Sequence, residues 1–392
     1  MNKAILNIEV QEFINSHINS DVSSLLLKGL PFEGIDAKLV IEQIEAKKRS
    51  EKKLPTWFKT ENIYYPNKLN IEQTSSEITA KYKANLVSGK SLIDLTGGFG
   101  VDTYYFSKQV ENVIHCEINT HLSDITAHNF EQLKVSNAEC RNENGIETLK
   151  KLDKQFDWIY IDPSRRDNSK NKVFLITDCT PNVKTYQGLF LKYAENVMIK
   201  TSPLLDISAT LLEISNVKEI HVVAVNKEVK ELLWILERNY SGSVLIKTVN
   251  IQKENQQTFD FYYEEESTAK VEYTRPSNYL YEPNAAILKA GAFNSVSSNL
   301  GVKKLHKHSH LYTSETLIDF PGRRFNIENV IPFNNKAFSK LKIQKANITT
   351  RNFPLSVADI RKKLKVKDGG TIYLFFTTDL TNNKIILVCS KA

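Results

Sequence analysis

The sequence predicts an α/β protein: a mainly parallel sheet with an antiparallel edge, a helical amino-terminal extension, and small α+β carboxy-terminal domains. Three observations predict it. From about residue 75, short apolar runs alternate with helical stretches, which implies a parallel sheet covered on both faces. A glycine-rich turn follows the first of those runs. The chain also changes character on either side of this stretch, and 392 residues are too many for one ordinary domain.

Residues 1–50 read as helices. Asp36 is placed to cap a helix that puts Leu39, Ile41, Ile44 and Ala46 near one face. A basic run, Lys47-Lys48-Arg49-Ser50-Glu51-Lys52-Lys53, ends at Leu54-Pro55, and Pro55 and Pro66 bracket an aromatic segment with Trp57, Phe58, Tyr64 and Tyr65. Strands are predicted at 91–95, 112–118, 156–161, 196–200 and 219–225, with helices at 102–109, 121–133, 207–214 and 228–236. Two late strands, 243–251 and 258–263, form a natural antiparallel edge. The acidic run Glu264-Glu265-Glu266 closes this region.

After residue 278 a helix is predicted at 284–292, then short strands and turns through 335, including Pro321-Gly322-Arg323-Arg324. Ser356-Val-Ala-Asp359 is a capping-box start for a helix through Leu364, with Asp in place of the usual Glu. Asp368-Gly369-Gly370 marks a turn, and strands 371–377 and 384–388 form a hairpin around Thr381-Asn382-Asn383. The expected division is 1–75, 76–266, 278–322 and 323–392.

Composition narrows the function classes. Hydrophobic residues make up 41% and charged residues 25%, which describes a globular chain rather than a disordered one. No apolar run approaches the ~18 residues of a membrane span, so no membrane partner is expected. Glu9 and Glu12 inside the first apolar stretch argue against a secretory signal. Cys116, Cys140, Cys179 and Cys389 form no CxxC pair, so neither a disulfide framework nor a cysteine zinc site is expected, and a cytoplasmic location is. The net charge of +7 is uneven. Residues 278–392 hold 18 Lys and Arg against 7 Asp and Glu, whereas residues 1–277 hold 34 against 38. A basic tail of this kind suits a polyanion, or is a solvated lysine-rich surface.

The chemistry concentrates in Leu92-Ile93-Asp94-Leu95-Thr96-Gly97-Gly98-Phe99-Gly100-Val101-Asp102. A strand ends at Asp94, a glycine turn follows, and a helix begins. Glycines let a ligand approach the backbone, and the helix start offers unpaired amides. Glu117 ends the second strand, 19 residues after Gly98, where an acid can accept hydrogen bonds from ribose hydroxyls. A dinucleotide fingerprint would need a third small residue, but Val101-Asp102-Thr103 follows Gly100. Asp102 would also repel a pyrophosphate. A cationic ligand bearing an amino acid, such as S-adenosylmethionine with its sulfonium and ammonium groups, suits Asp94 and Asp102 better. Asp102 could equally serve only the helix dipole.

A further strand runs into Asp162-Pro163-Ser164-Arg165-Arg166. With this element the chain resembles a class I S-adenosylmethionine-dependent methyltransferase with a Rossmann-like core. Thr96, Gly97, Gly98 and Gly100 look like its first motif, Glu117 like the acid of strand two, and Asp162-Pro163 like its fourth motif. The resemblance implies that Asp162 and the Pro163 carbonyl orient a target amine. It also implies that Asn144, or its neighbours Asn142 and Glu143, contacts the adenine. Ser164 and Arg165 stand where amino-methylating members carry proline and an aromatic residue, so the target atom stays open. Arg165 and Arg166 could stack on a base or clamp a phosphate, and Lys200, at the end of the next strand, could line the acceptor pocket.

Segments 73–83, 281–292 and 350–370 extend the resemblance to a bacterial group carrying a ferredoxin-like domain and a carboxy-terminal THUMP-like domain. It implies an RNA partner, rRNA or tRNA. Arg323, Arg324, Arg351, Arg361, Lys362 and Lys363 are the candidate phosphate contacts. His306, His308 and His310 would share one face of a strand, but no acid or cysteine completes a site and no metal is expected. The implied activity is methyl transfer to a base nitrogen of structured RNA. The alternatives are an inactive RNA-binding relative, an enzyme acting on DNA, protein or a small molecule, and a nicotinamide oxidoreductase.

Overall fold

The computed structural model describes residues 1–165, 175–253 and 255–392. Its contacts divide the chain into two compact units, Met1–Lys218 with Leu232–Ser241, and Glu219–Glu231 with Gly242–Ala392.

The first unit opens with helices α1 (Ile8–Ser16), α2 (Val22–Lys28), α3 (Ala37–Lys53), α4 (Pro55–Lys59), α5 (Lys68–Gln73) and α6 (Glu77–Ala84). Asp36 caps α3 by accepting from the Lys38 amide, as the sequence suggests. Val40, Ile41, Ile44 and Ala46 of α3 join Trp57, Tyr64, Phe99 and Phe106 in one buried cluster. Burial of this apolar stripe, rather than helix propensity, fixes the extension.

Strands β1 (Gly89–Asp94), β2 (Val110–Cys116), β3 (Ala138–Arg141), β4 (Phe156–Ile161), β5 (Ser164–Arg165), β6 (Cys179–Thr180) and β7 (Ala194–Thr201) follow, then β8 (Val217–Val225) and β9 (Glu228–Glu237). Helices α7 (Val101–Phe106), α8 (Thr120–Gln132) and α9 (Gly145–Leu152) alternate with the early strands. In the first unit β2 lies between β1 and β3, and β1, β4 and β7 follow in parallel on the other side. Strand β9 pairs antiparallel with β7. The order reverses between β1 and β4, and the carboxyl edge at such a switch point is where open α/β sheets bind ligands.

Some expected elements differ: Asp368-Gly369-Gly370, expected as a turn, lies within a strand, Lys367–Thr378. Residues 228–236, predicted as a helix, are strand β9. Leu232–Leu236 is a continuous buried apolar run, and periodicity does not separate a buried strand from a buried helix. Asn226 and Lys227, both at positive φ (50° and 73°), turn the chain straight back, as a two-residue hairpin connection does.

In the second unit β10 (Leu245–Ile251) pairs parallel with β8 and antiparallel with β11 (Gln256–Tyr262). This is the antiparallel edge that the sequence predicts. A second sheet contains β12 (Tyr279–Pro283), β13 (Lys303–Lys304), β14 (Tyr312–Ser314), β15 (Gly322–Pro332), β16 (Lys345–Thr350), β17 (Lys367–Thr378) and β18 (Lys384–Lys391), in the order β13-β14-β12-β15-β18-β17-β16. Ser356 and Asp359 form both bonds of the expected capping box. The segment around His306, His308 and His310 is a turn, so the three rings do not share a strand face. Instead His310 stacks on Phe293, with centroids 3.7 Å apart, and His306 Nε2 meets Asn382 Oδ1 at 3.1 Å.

Candidate active site

The glycine turn between β1 and α7 is tightly fenced. Gly100 has φ 76°, and a Cβ there would lie 2.5 Å from Thr126 Cγ2. A Cβ on Gly97 would lie 2.2 Å from the His115 ring. The Gly98 peptide is held from both sides. Its N–H donates to Glu117 Oε2 at 2.9 Å, and its carbonyl accepts from Thr126 Oγ1 at 3.0 Å. His115 Nε2 stands 3.2 Å from the same carbonyl. Burial pushes the His115 imidazole down to about 4, so it is neutral and donates from Nε2. Glu117 Oε1 accepts from the Asn119 amide at 2.7 Å, which fixes the carboxylate plane. Beside it Ile118 is 71% exposed.

Below the turn lies a charged cluster. Asp94 is buried, accepting from the Thr96 amide at 3.0 Å and from Thr103 Oγ1 at 2.8 Å. Burial pushes its carboxyl up to about 7, opposed by those donors and helped by the nearby charges of Asp102 and Asp162. Asp102 Oδ2 accepts from Ser75 Oγ at 2.8 Å and from Tyr160 OH at 2.7 Å. Its Oδ1 is 3.2 Å from the fully buried Lys83 ammonium. Burial alone would raise Asp102, but Lys83, Lys200 and the two hydroxyls outweigh it and hold the carboxyl below the usual range. Asp102 therefore answers to protein groups in this site.

Asp162 leaves the end of β4 with its amide donating to Thr96 Oγ1 at 2.7 Å. Its Oδ2 accepts a close hydrogen bond from Lys200 Nζ. Thr96 thus ties the glycine turn to Asp162, and Lys200, from the end of β7, ties Asp162 to a third strand. Pro163 is buried and Ser164 exposed, and Ser164 pairs with Thr180 across β5 and β6. Arg166 and the side chain of Arg165 lie outside the described residues. Asn144 caps α9, accepting from the Ile146 and Glu147 amides. Glu143 accepts from Thr148 Oγ1 at 2.9 Å, and Asn142 donates to the Glu117 carbonyl at 2.9 Å. Each of the three has a local structural partner.

Several participants carry no sequence signal of their role. Lys83 ends a stretch that carries the family resemblance but marks no partner for it, and Thr103, His115 and Thr126 belong to no recognisable spacing. Only the fold brings them to the turn. Ile118 had a detectable signal: an apolar residue directly after Glu117 at a strand end.

In the second unit the predicted basic residues separate into two kinds. Arg323 and Arg351 both grip Glu282, whose side chain is 3% exposed, and Arg351 Nη2 lies 2.8 Å from Oε1. Arg323 also donates to Thr349 Oγ1 at 3.2 Å and lies over the Phe325 and Phe375 rings. Arg324 pairs with Asp319, and Arg361 pairs with Asp368 and reaches the Ala346 and Val366 carbonyls. Lys362 and Lys363 are exposed, with Lys363 Nζ 4.8 Å from the Phe333 ring centroid. Among the described residues, no group of three His, Cys, Asp or Glu side chains could hold a metal. No described helix is long and apolar enough to cross a membrane.

Known proteins match along the chain. Residues 279–321 match the model of a ferredoxin-like domain, and residues 322–391 that of a THUMP domain-like family. A solved structure, described as a putative methyltransferase from Porphyromonas gingivalis W83, is 34% identical. The match covers 100% of this chain and 99% of that one, with a TM-score of 0.90. The chain belongs to that methyltransferase family. Its fold is therefore a class I methyltransferase core with ferredoxin-like and THUMP-like domains. More distant structures include a putative methyltransferase from Streptococcus mutans in complex with SAH, 15% identical over 41% of this chain and 96% of its own (TM-score 0.31). An rRNA methylase from Streptococcus thermophilus is 12% identical over 41% and 94% (TM-score 0.30). No curated protein matches the chain.

Proposed function

We propose that this methyltransferase-fold protein transfers a methyl group from S-adenosylmethionine to a base nitrogen in structured RNA. The observation that carries the reading is the convergence of Glu117, the glycine turn and Asp162 on one sheet edge, joined through Thr96. The residues present fit the cofactor. Each Glu117 oxygen uses one backbone donor and keeps a lone pair for a ribose hydroxyl. The exposed Ile118 offers an apolar face to a base. Asp94, a buried acid with no cation beside it among the described residues, suits a cationic ligand.

The cofactor supplies an activated methyl on a sulfonium, which is a good leaving group. The protein's task is therefore orientation. Lys200 holds one oxygen of Asp162 and leaves Oδ1 able to accept a hydrogen from the target amine. The Pro163 carbonyl is the second acceptor, and together they would aim the nitrogen lone pair. The THUMP-like match and the basic tail support an RNA substrate, either rRNA or tRNA, with Lys362 and Lys363 as phosphate contacts. The missing aromatic after Asp162-Pro163 weighs against a typical DNA amino-methylase. It also keeps a second reading in view, an RNA-binding protein that holds cofactor without turnover.

The test is transfer of labelled methyl from S-adenosylmethionine to total RNA, ribosomal subunits, tRNA and DNA, with Asp162→Ala beside wild type. Labelling of RNA that disappears in the variant is expected. Equal labelling by both proteins removes Asp162 from the chemistry, and labelling of DNA alone removes RNA as the substrate. Cofactor binding with no labelled acceptor would favour the second reading.

A further inference from the structure

We propose that Asp94 makes this site sense ligand charge: it releases its proton when a cationic cofactor binds, and it disfavours the neutral thioether left after transfer. The proposal rests on the cofactor reading above. It concerns proton linkage and product discrimination, which that reading leaves open.

The geometry is a charge imbalance. Among the described residues, three carboxylates meet at the sheet edge, from Asp94, Asp102 and Asp162, and two ammonium groups face them. Lys83 pairs with Asp102, and Lys200 pairs with Asp162. Asp94 is left over. Its partners are an amide and hydroxyls, and no described cation lies within ion-pair reach. It is 1% exposed, so water does not stabilise its charge, and a buried carboxylate in this position stays protonated unless a cation arrives.

Each described element beside it reinforces this. From α7 come Asp102, another anion, and Thr103, a neutral donor. From β4 come Asp162 at the strand end and Tyr160, whose hydroxyl is spent on Asp102. From β2 come Cys116, a neutral thiol pushed up to about 12 by burial, and His115, which is neutral. Lys83 of α6 and Lys200 of β7 are already paired. Among these described side chains, protonated Asp94 leaves as many carboxylates as ammonium groups, and ionised Asp94 leaves one carboxylate more. Burial pushes the Asp94 carboxyl up to about 7, so the balance tips near neutral pH.

S-adenosylmethionine carries one positive charge more than S-adenosylhomocysteine, its thioether product. Binding the sulfonium form therefore favours ionised Asp94, whose proton passes to solvent. During transfer the methyl carbon–sulfur bond breaks, sulfur keeps the electron pair, and a carbon–nitrogen bond forms. The positive charge moves to the acceptor nitrogen, which then sheds a proton. The remaining ligand has lost its attraction for Asp94, which takes a proton back from solvent. Product is held less tightly than cofactor.

The test is calorimetric binding of S-adenosylmethionine and S-adenosylhomocysteine across about two pH units on either side of neutrality. It is run in buffers of different ionisation enthalpy to count protons, with wild type and Asp94→Asn. For wild type, affinity for the sulfonium ligand should rise with pH by up to about tenfold per unit below the Asp94 titration and then level. Affinity for the thioether should rise clearly less. In Asp94→Asn the proton release attributable to the site should vanish and the two ligands' pH profiles should converge. Titration of each free ligand is common to both proteins and cancels in the difference.

Parallel pH profiles for the two ligands in wild type, or unchanged proton release in the variant, overturn the proposal while leaving the cofactor reading intact. Failure of wild type to bind either ligand overturns both. If Asp94→Asn does not fold, the comparison of ligands on wild type still decides. So does loss of a protonated-carboxyl infrared band when the sulfonium ligand is added.

Discussion

Asp94 and Glu282 are both buried carboxylates, and they are built in opposite ways. Glu282 has a guanidinium on each oxygen, from Arg323 and Arg351. Asp94 has an amide and hydroxyls but no described cation. A buried acid matched by fixed cations is part of the scaffold, because its charge is already answered. A buried acid left unanswered costs stability, and it is retained where something brought in from solvent can answer it. The same contrast revises the basic tail. Net charge alone treats Arg323 and Arg351 like Lys362 and Lys363, yet the arginines are engaged internally and the lysines face solvent.

The largest effect should fall on chemistry. Asp162→Ala is expected to lower methyl transfer at saturating cofactor by about 100-fold or more, because orientation of the amine is lost. Cofactor binding should change little, since Glu117 and the glycine turn are untouched. Single-turnover labelling beside calorimetric cofactor binding separates the two. If transfer and cofactor binding fall together, Asp162 belongs with the scaffold rather than with the acceptor.

How much of this was legible in sequence depends on reach. The glycine turn, Glu117 and Asp162-Pro163 are short patterns, and they could be read because their chemistry needs particular neighbours within a few positions. The Thr96 bond to the Asp162 amide joins residues 66 apart, and Ser75, Lys83, Asp102 and Tyr160 meet from the α5–α6 connection, α6, α7 and β4. No local pattern encodes such meetings. Glu282 lies in a stretch that carries the family resemblance, but only cross-strand pairing with Arg323 reveals what it holds. Strand β9 reads as a helix in sequence for the related reason that a fully buried run has no polar face to set its period.

Stability should distinguish the two buried acids. Glu282→Gln leaves two half-exposed guanidinium groups without their counterion, and a loss of about 2 kcal/mol or more is expected in urea unfolding. Asp94→Asn should have the opposite sign. The folded-state value of Asp94 is raised above its unfolded one, so the folded protein binds the extra proton. Wild type therefore loses stability as pH rises from about 4 to about 7 and is level above that. The variant escapes this loss, so its advantage should grow through that window, to at most about 4 kcal/mol. A constant difference between the two proteins across that window would mean that Asp94 is not the uncompensated charge.

Glu219 supplies the finest test, because it is a partly buried acid with an imidazole and an ammonium group close by. His221 Nε2 lies 2.9 Å away and Lys247 Nζ 3.0 Å away. Its hydrogen bond from His221, followed by that from Lys247, holds the carboxyl down to about 2 against the opposing pull of burial. The sign is opposite to that of Asp94. A depressed carboxyl contributes stability that is fully present above its unfolded value and is lost as pH falls toward the folded one. Wild type should thus lose about 1–2 kcal/mol relative to Glu219→Gln between roughly pH 4.5 and pH 2. Urea midpoints measured down that range should converge for the two proteins. Midpoints that stay apart at the acid end would mean that the Glu219 contribution is packing rather than charge, and that cation pairing does not by itself separate the scaffold acids from Asp94.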